Sequence, residues 1–230
     1  MSYLLHLETA TTNCSVALSQ NGNLLHCIEN NEADFRHSDH LHLFIEQLLN
    51  KAQIQAKQLS GVAVSMGPGS YTGLRIGVSS AKGLCYANNI HLIAVNSLEA
   101  LAAAYTAQDD DILIPMFDAR RMEVYALVLN AQKEVIQPTQ AIIITPDSFQ
   151  EFQSQGRLVL FGNGATKCKD VIPLTNSLFV EELQFPSARN MVALATAKFE
   201  ANSIEDVAYF EPFYLKDFVV VPEKKKKPTF

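Results

Sequence analysis

The first half of the chain alternates short apolar runs with longer stretches whose apolar residues recur every three or four positions. Asn21-Gly22 is a strong two-residue hairpin signal between the second and third short runs. The later run Val62-Ala63-Val64 stops at Gly67-Pro68-Gly69, which is typical of a buried parallel strand. The predicted strands are residues 3–8, 15–19, 24–29, 62–64 and 91–95, and the predicted helices are residues 38–56, 70–87 and 97–105.

The same pattern begins again after Asp109-Asp110-Asp111, which we interpret as a solvated linker between two lobes. The stretch around Pro138 is expected at a sheet edge or bulge, because proline has no amide proton to donate. Thr145-Pro146-Asp147 is expected to open a helix, and Gly162-Asn163-Gly164 to form a turn after a buried strand. The predicted strands are residues 112–117, 123–129, 135–144, 158–161 and 178–180, and a short helix precedes a last helix over residues 187–201.

The order βββαβαβα is that of a ribonuclease-H-like layer, in which an antiparallel meander leads into a parallel sheet. Two such passes predict an α/β protein with a duplicated ribonuclease-H-like, actin-like (ASKHA) fold and a cleft between its lobes. Two unrelated α/β domains are the alternative. We place the N-terminal lobe at residues 1–108, the C-terminal lobe at 109–218 and a flexible, solvated tail at 219–230. The last helix is a candidate to pack back on the first lobe.

The formal charge of −6 argues against a chain that grips RNA by itself, because phosphate neutralisation needs a basic face. The run Lys224–Lys227 is interpreted as part of the solvated tail, with weak RNA contact as the minor alternative. The chain shows no basic leader and no apolar run of the ~20 residues that a membrane helix needs. The cysteines form no C-x-x-C pair, so we expect a cytoplasmic protein with reduced thiols. They are Cys14, Cys27, Cys85 and Cys168.

The second predicted helix carries a row of very small residues at every fourth position. The glycines before it do not fit the Walker phosphate-loop spacing. A row without side-chain bulk permits close backbone approach, either by the protein's own sheet or by another subunit. Composition leaves both alternatives open. The row consists of Gly69, Gly73, Gly77, Ala81 and Cys85.

Five segments resemble the TsaB (YeaZ) family and together span nearly the whole chain. The most specific is the glycine-rich segment, in which Tyr71 stands where phenylalanine is common. The C-terminal ending resembles the family's Pro-x-Tyr-Leu-Arg, with Lys216 in place of arginine. The segments are Gly67–Gly77, the opening hairpin in Leu7–Leu18, Arg36-His37-Ser38, Asp118–Tyr125 and Glu211–Lys216.

The resemblance implies a non-catalytic, actin-like platform in a cytoplasmic complex with TsaD, the catalytic paralogue, and TsaE, an ATPase. That complex transfers threonylcarbamoyl from its adenylate to N6 of the adenosine beside the anticodon, in tRNAs reading codons that begin with adenine. The platform is expected to reach tRNA only through the complex, to hold no cofactor or catalytic metal, and to form a homodimer when isolated.

We expect the first two long helices to dock the partner, with the small-residue row facing it. The candidate docking residues are His37, Leu41 and Phe44 on the first helix and Tyr71, Gly73, Leu74, Arg75, Gly77 and Ala81 on the second.

A second group of residues is the candidate lining of a vestigial nucleotide cleft, with an ordinary polar turn as the favoured alternative for the first hairpin. In an active actin-like ATPase the first hairpin offers an acid, a glycine and hydroxyls to phosphate and Mg²⁺. Here Ala10 replaces the glycine, and no later Gly-Gly adenosine loop is visible, which weighs against an ATPase. Paired arginines suit carboxylate or phosphate, although a surface ion-pair cluster is equally consistent with them. The residues are Glu8, Thr11, Asp118, Arg120, Arg121, Gly162 and Gly164.

The histidines His37, His40 and His42 raise the alternative of a metallopeptidase of the glycoprotease type. Their spacing is not H-E-x-x-H, and His42 points about 140° away from His40 on a helix, so capping and interface roles are favoured. A free-standing ATPase or kinase is a further alternative, for which Asp118 is the appealing catalytic acid.

Overall fold

The computed structural model describes residues 1–31 and 37–216, with His37 described by its backbone alone. Arg36 and the lysine-rich run Lys224–Lys227 lie outside the described residues. Within them, ten strands form two five-stranded sheets. The strands of the first sheet are β1 (Tyr3–Glu8), β2 (Cys14–Gln20), β3 (Asn23–Asn30), β4 (Gly61–Gly67) and β5 (His91–Asn96). Those of the second are β6 (Asp111–Asp118), β7 (Glu123–Leu129), β8 (Val135–Ile143), β9 (Arg157–Phe161) and β10 (Ser177–Val180).

The two sheets have one topology. The first has the order β3-β2-β1-β4-β5, and the second has β8-β7-β6-β9-β10 when read in the same direction. In each, the first three strands pair antiparallel and the last two join the first in parallel. β6 therefore corresponds to β1 and β9 to β4. The predicted duplicated ribonuclease-H-like, actin-like fold is confirmed.

Four α-helices accompany these sheets among the described residues: α1 (His37–Ala52), α2 (Tyr71–Asn88), α3 (Ser97–Ala103) and α4 (Val192–Glu200). Ser70 caps α2, since its hydroxyl accepts from the Gly73 amide at 3.3 Å. The Asn96 carboxamide caps α3 in the same way. The hairpin signal is also confirmed, with φ of 48° at Asn21 and 79° at Gly22. None of the described helices is long and apolar enough to cross a bilayer.

Two local predictions are wrong. Thr145-Pro146-Asp147 opens turns and a three-residue 3-10 segment instead of a helix. There the Thr145 amide donates to the Ser148 hydroxyl, and Phe149 takes the left-handed φ of 64°, which stops helical propagation. Asp111 is not a solvated linker residue, because it starts β6 as a buried carboxylate 2.7 Å from Nη2 of Arg157. Pro138 lies in β8, which is an edge strand as expected.

Each sheet is covered on both faces, and the lobes exchange helices. α1 and α2 pack on one face of the first sheet. Its other face is covered by α4, through Ala195, and by the segment leading into α4, through Met191. α3 follows the first sheet in sequence and packs against both sheets: Ala100 joins the cluster on the first, and Leu98 and Leu101 meet Leu113 of the second. The helices that follow each sheet therefore join the two lobes.

Candidate functional site

The small-residue row on α2 faces inward. A Cβ at Gly77 would lie 2.2 Å from Oγ1 of Thr9, and one at Gly69 would lie 2.2 Å from the Ala10 carbonyl oxygen. Gly73 is buried, and Ala81 and Cys85 belong to the core of the first lobe. The prediction that this row, with Gly73, Gly77 and Ala81, forms a docking surface is wrong, because the protein's own sheet and first turn occupy it.

Leu41 and Leu74 are also core residues rather than docking residues. Leu41 of α1 is fully buried between the helix and the first sheet, and Leu74 is 1% exposed. The Cδ1 atom of Leu74 lies 3.2 Å from where a Cβ of Gly67 would be. Both leucines stabilise the first lobe from within.

The outward side of α2 carries a different set of small residues. Thr72, Ser79 and Gly83 are exposed there, and no atom from another described element lies within 4 Å of a Cβ built on Gly83. Further along the same helix Tyr86 is 85% exposed, and on α1 Leu43 is 49% exposed. We call the surface formed by Leu43, Ser79, Gly83 and Tyr86 the outer helix face.

A hydrogen bond joins the two helices beside this face, between His42 Nε2 and the Ser80 hydroxyl at 3.2 Å. The outer helix face is not visible in the glycine spacing alone. The buried stripe of Leu74, Val78 and Cys85 marks the inward side, and that stripe places Gly83 opposite.

Tyr71 and Arg75 hold the end of the described chain. The Arg75 guanidinium lies 4.1 Å from the Tyr71 ring centroid, and its Nε donates to the Tyr214 hydroxyl at 3.2 Å. Lys82 Nζ donates to the carbonyl oxygens of Ala208 and Phe210, both at 3.0 Å. We call residues 205–216 the C-terminal strap.

The strap reaches both lobes. The Phe213 amide donates to the Met66 carbonyl oxygen at 2.7 Å, over the turn between β4 and α2. At its far end, Lys216 pairs with the Glu123 carboxylate at the start of β7. Phe44, the remaining docking candidate on α1, is half-buried against the first core.

The acid that ends β1 is sealed from solvent. Glu8 is 0% exposed, and its Oε1 accepts from the Ala10 amide at 2.7 Å. Its Oε2 has no hydrogen-bond partner among the described residues, and neither does the Thr9 hydroxyl. Burial raises the pKa of Glu8 to about 7. Thr11 is buried as well, and its hydroxyl accepts from the Asn13 amide.

The corresponding acid at the end of β6 is exposed. Asp118 accepts from Lys167 Nζ at 2.6 Å and from the Arg120 amide at 2.7 Å. Burial alone would raise the pKa of Asp118, but the bonds from Lys167 and Arg120 outweigh it and lower the pKa. Arg120 and Arg121 take left-handed φ values of 69° and 50° in the turn that follows.

The glycines predicted to line the cleft instead allow close packing between backbone segments of the second lobe. A Cβ at Gly162 would lie 2.1 Å from the Met116 carbonyl oxygen, and one at Gly164 would lie 2.7 Å from the Phe117 carbonyl carbon. The structure does not bring Glu8 and Asp118 to one open site, because Glu8 is enclosed and Asp118 is held by Lys167.

The histidines do not assemble a metal site among the described residues. His42 bonds Ser80, and the His40 ring lies 6.2 Å from that of Phe44. The side chain of His37 lies outside the described set. In residues 1–31 and 38–216, no group of three or more His, Cys, Asp or Glu side chains is placed to hold a metal ion.

Comparisons with known proteins agree with this architecture. A family model described as TsaD, tRNA N6-adenosine threonylcarbamoyltransferase, matches residues 28–221. The tRNA threonylcarbamoyladenosine biosynthesis protein TsaB of Bacillus subtilis is 39% identical over 120 residues, covering 51% of this chain and 52% of that protein. The TsaB protein of Haemophilus influenzae is 26% identical over 226 residues, covering 94% of each.

Solved structures show the same fold. YeaZ from Pseudomonas aeruginosa superposes with a TM-score of 0.79 at 24% identity, covering 94% of this chain and all of that one. A crystal structure of a protein with similarity to peptidase YeaZ, from the same organism, gives a TM-score of 0.83 at 24% identity. That alignment covers 94% of this chain and 100% of the other.

Proposed function

This chain belongs to the TsaB (YeaZ) family, and from that premise we propose that it serves tRNA threonylcarbamoyladenosine biosynthesis as a non-catalytic scaffold. In this proposal it binds the catalytic paralogue TsaD in the cytoplasm and works with the ATPase TsaE. It contacts tRNA only through the complex, whose substrates are tRNAs reading codons that begin with adenine. In isolation, the docking surface pairs with a second copy.

One observation carries the docking proposal, namely the exposed glycine Gly83 in the C-terminal half of α2. Gly83 costs about 1 kcal/mol of helix stability relative to alanine, and no atom from another described element lies within 4 Å of a Cβ built on it. An exposed glycine allows another helix to approach closely, and Tyr86, one turn further along α2, and Leu43 of α1 are exposed apolar side chains that could anchor it. We therefore assign docking to the outer helix face in place of the inward row.

The interlobe turns support a scaffold over an ATPase or a kinase. An actin-like nucleotide site needs acids from both lobes facing one cleft. Here Glu8 is sealed, and the Asp118 carboxylate is engaged by Lys167. We propose that the chain binds nucleotide weakly or not at all. Its contribution to the complex is then a surface to which the partner binds.

The docking proposal is tested by Gly83→Arg. Arginine favours the helix more than glycine does, so the variant stays folded while its side chain blocks close approach. We expect at least about a hundredfold weaker binding to purified TsaD in calorimetric titration. Ala197→Arg, at an exposed position of α4, is the matched control and should bind as the parent protein does. Unchanged affinity of a folded Gly83→Arg protein for TsaD would remove the outer helix face from the interface.

The catalytic alternative has its own test. A metallopeptidase should retain metal in stoichiometric amounts, and an ATPase should release phosphate without partners. Elemental analysis and a phosphate-release assay on the purified chain are expected to give neither signal. If either signal were found and Asp118→Asn abolished it, the scaffold proposal would be wrong and the chain would be an enzyme.

A further inference from the structure

The outer edge of the second sheet has no neighbouring strand in the described part of the chain. β8 is an edge strand, and none of its nine residues is charged. Ile143, at the end of the strand, is 71% exposed. Edge strands of native proteins usually carry charges or are covered by another segment, because their backbone groups can pair with any extended chain. The uncharged edge of β8 therefore has the properties of a strand that accepts another one.

Two backbone amides near the end of β8 point away from the sheet. The Ile144 amide donates to the Met122 carbonyl oxygen at 2.7 Å, on the side of β7. Because bonding alternates along an antiparallel pair, the amides of Ala141 and Ile143 face the open edge. Neither amide has a hydrogen-bond partner outside the sheet among the described residues. Both are available to the backbone of an added strand.

A groove of ≈530 Å³ lies beside this edge. Residues 140–143 of β8 form one side of it, and the turns that follow the strand form the other. Asp147 and Glu151 line the second side, and both residues are exposed. No lysine, arginine or histidine is among the described residues that line the groove. The two carboxylates therefore favour an occupant with basic side chains.

The two faces of this edge differ. Ile142 packs on the core of the second lobe together with Phe149, so its side chain points to the face that carries the acidic turns. Ile143 points to the opposite face, because side chains alternate along a strand, and it is mostly exposed there. An added strand has the same alternation. It fits best when its basic side chains lie toward Asp147 and Glu151 and its apolar side chains lie beside Ile143.

We propose that the edge of β8 binds an extended segment of another protein as a sixth strand, and that basic and apolar residues alternate along this segment. Backbone bonds to Ala141 and Ile143 supply the pairing, and the acidic turns select the basic side chains. A second copy of this chain fits less well, because its own β8 offers no basic residue to the acidic turns. The proposal is independent of the docking function, which uses the outer helix face of the first lobe.

A synthetic peptide tests the charge selection. The probe alternates lysine and valine over about seven residues and spans ~23 Å when extended. A matched peptide carries glutamate in place of each lysine. In fluorescence anisotropy titrations with the full chain, we expect the lysine peptide to bind at least about tenfold more tightly than the glutamate peptide. Equal affinity of the two peptides would overturn the proposal.

Charge reversal in the groove separates this site from the acidity of the whole chain, whose formal charge of −6 attracts any basic peptide. Asp147→Lys combined with Glu151→Lys should weaken binding of the lysine peptide at least about tenfold. Asp170→Lys combined with Glu182→Lys makes the same change of charge at exposed positions of the same lobe, outside the groove. This control should bind within about twofold of the parent protein. Equal weakening in both variants would show nonspecific attraction and overturn the proposal.

Amide exchange measured by NMR identifies the binding mode. Saturating lysine peptide should slow exchange of the Ala141 and Ile143 amides at least about tenfold. The amides of Gln140 and Ile142 face β7 and should keep their rates. Peptide binding without this protection would overturn strand addition.

The same measurement without peptide identifies a competing occupant. In the full chain alone, we expect the Ala141 and Ile143 amides to exchange as open edge positions do. Protection that rises with protein concentration would overturn the proposal in favour of a second copy. Protection independent of concentration would overturn it in favour of a segment of the same chain.

Discussion

The two lobes share one sheet topology but differ in what covers their outer faces. In the first lobe, α1 and α2 have 16 and 18 residues. At the corresponding places, the second lobe has turns and three-residue 3-10 segments, yet its outer core is equally closed around Phe149, Phe152 and Cys168. A sheet of this kind can therefore be sealed without long helices. The length of α1 and α2 exceeds what closure requires, which agrees with a second role for their outward side.

The turns after β1 and β6 differ in a complementary way. Glu8 is enclosed beneath α2, and Asp118 is exposed and bound by Lys167. Equivalent positions of the duplicated unit thus hold one carboxylic acid that is buried and one that is exposed to solvent. The first has become part of a core, and the second stabilises a turn.

The largest expected effect comes from filling the enclosed turn of the first lobe. Gly77→Leu places a Cβ 2.2 Å from Thr9 Oγ1 in a region without free space, so we expect a loss of unfolding free energy above ~4 kcal/mol. Urea denaturation followed by circular dichroism measures the loss. Gly83→Ala, on the open side of the same helix, should be neutral or stabilising by up to about 1 kcal/mol. A stably folded Gly77→Leu protein would contradict the inward packing of α2.

The next effect concerns the two buried titratable groups of β1. Burial raises the pKa of Glu8 from 4.5 to about 7 and lowers the pKa of His6 from 6.5 to about 3. Between pH 4.5 and 6.5 the Glu8 contribution makes the folded state less stable as pH rises, because the folded form holds a proton that the unfolded form releases. The His6 contribution has the opposite sign over that interval, so the two largely cancel.

Glu8→Gln should expose the His6 contribution. We expect its free energy of unfolding to rise with pH by about 1.4 kcal/mol per unit between pH 4.5 and 6.5, steeper than in the parent protein. Urea denaturation at several pH values measures the slope. Glu200→Gln, at an exposed position of α4, should leave the parent profile unchanged. An identical slope in the Glu8→Gln and parent proteins would argue against a neutral Glu8 in the folded state.

The smallest effect is expected in the turn of the second lobe. Lys167 Nζ donates to the Asp118 carboxylate and to the carbonyl oxygens of Arg121 and Glu123, at 2.6 to 2.8 Å. Lys167→Met should destabilise the fold by about 1 kcal/mol and raise the pKa of Asp118, which carboxyl NMR titration measures. Lys169→Met removes the exposed pair with Glu181 and should have less effect. An unshifted Asp118 titration would show that Lys167 does not hold that carboxylate.

The sheet topology was predictable because each strand is a short apolar run between turn residues. The duplicated order then followed from element order alone. The glycines of α2 did not predict which side of the helix faces the core, since a small residue at every fourth position suits an inward and an outward face equally. Contacts between distant segments were beyond pattern analysis, as Arg75 and Tyr214 are 139 residues apart. The absence of a helix after Thr145 shows that residues favourable for starting a helix do not ensure that the helix continues.

The exchange of helices between lobes bears on how the protein is synthesised. Leu4, Ala63 and Ile93 on the first sheet are covered by residues near Met191 and Ala195. At about 5–20 residues per second, a ribosome needs roughly 5–20 s to pass from the end of that sheet to these residues. During that interval the N-terminal half exposes an apolar face of its sheet to water and cannot complete its folding. Nascent chains stalled near their middle should therefore recruit chaperones, and the protein folds as a unit only when translation is nearly finished.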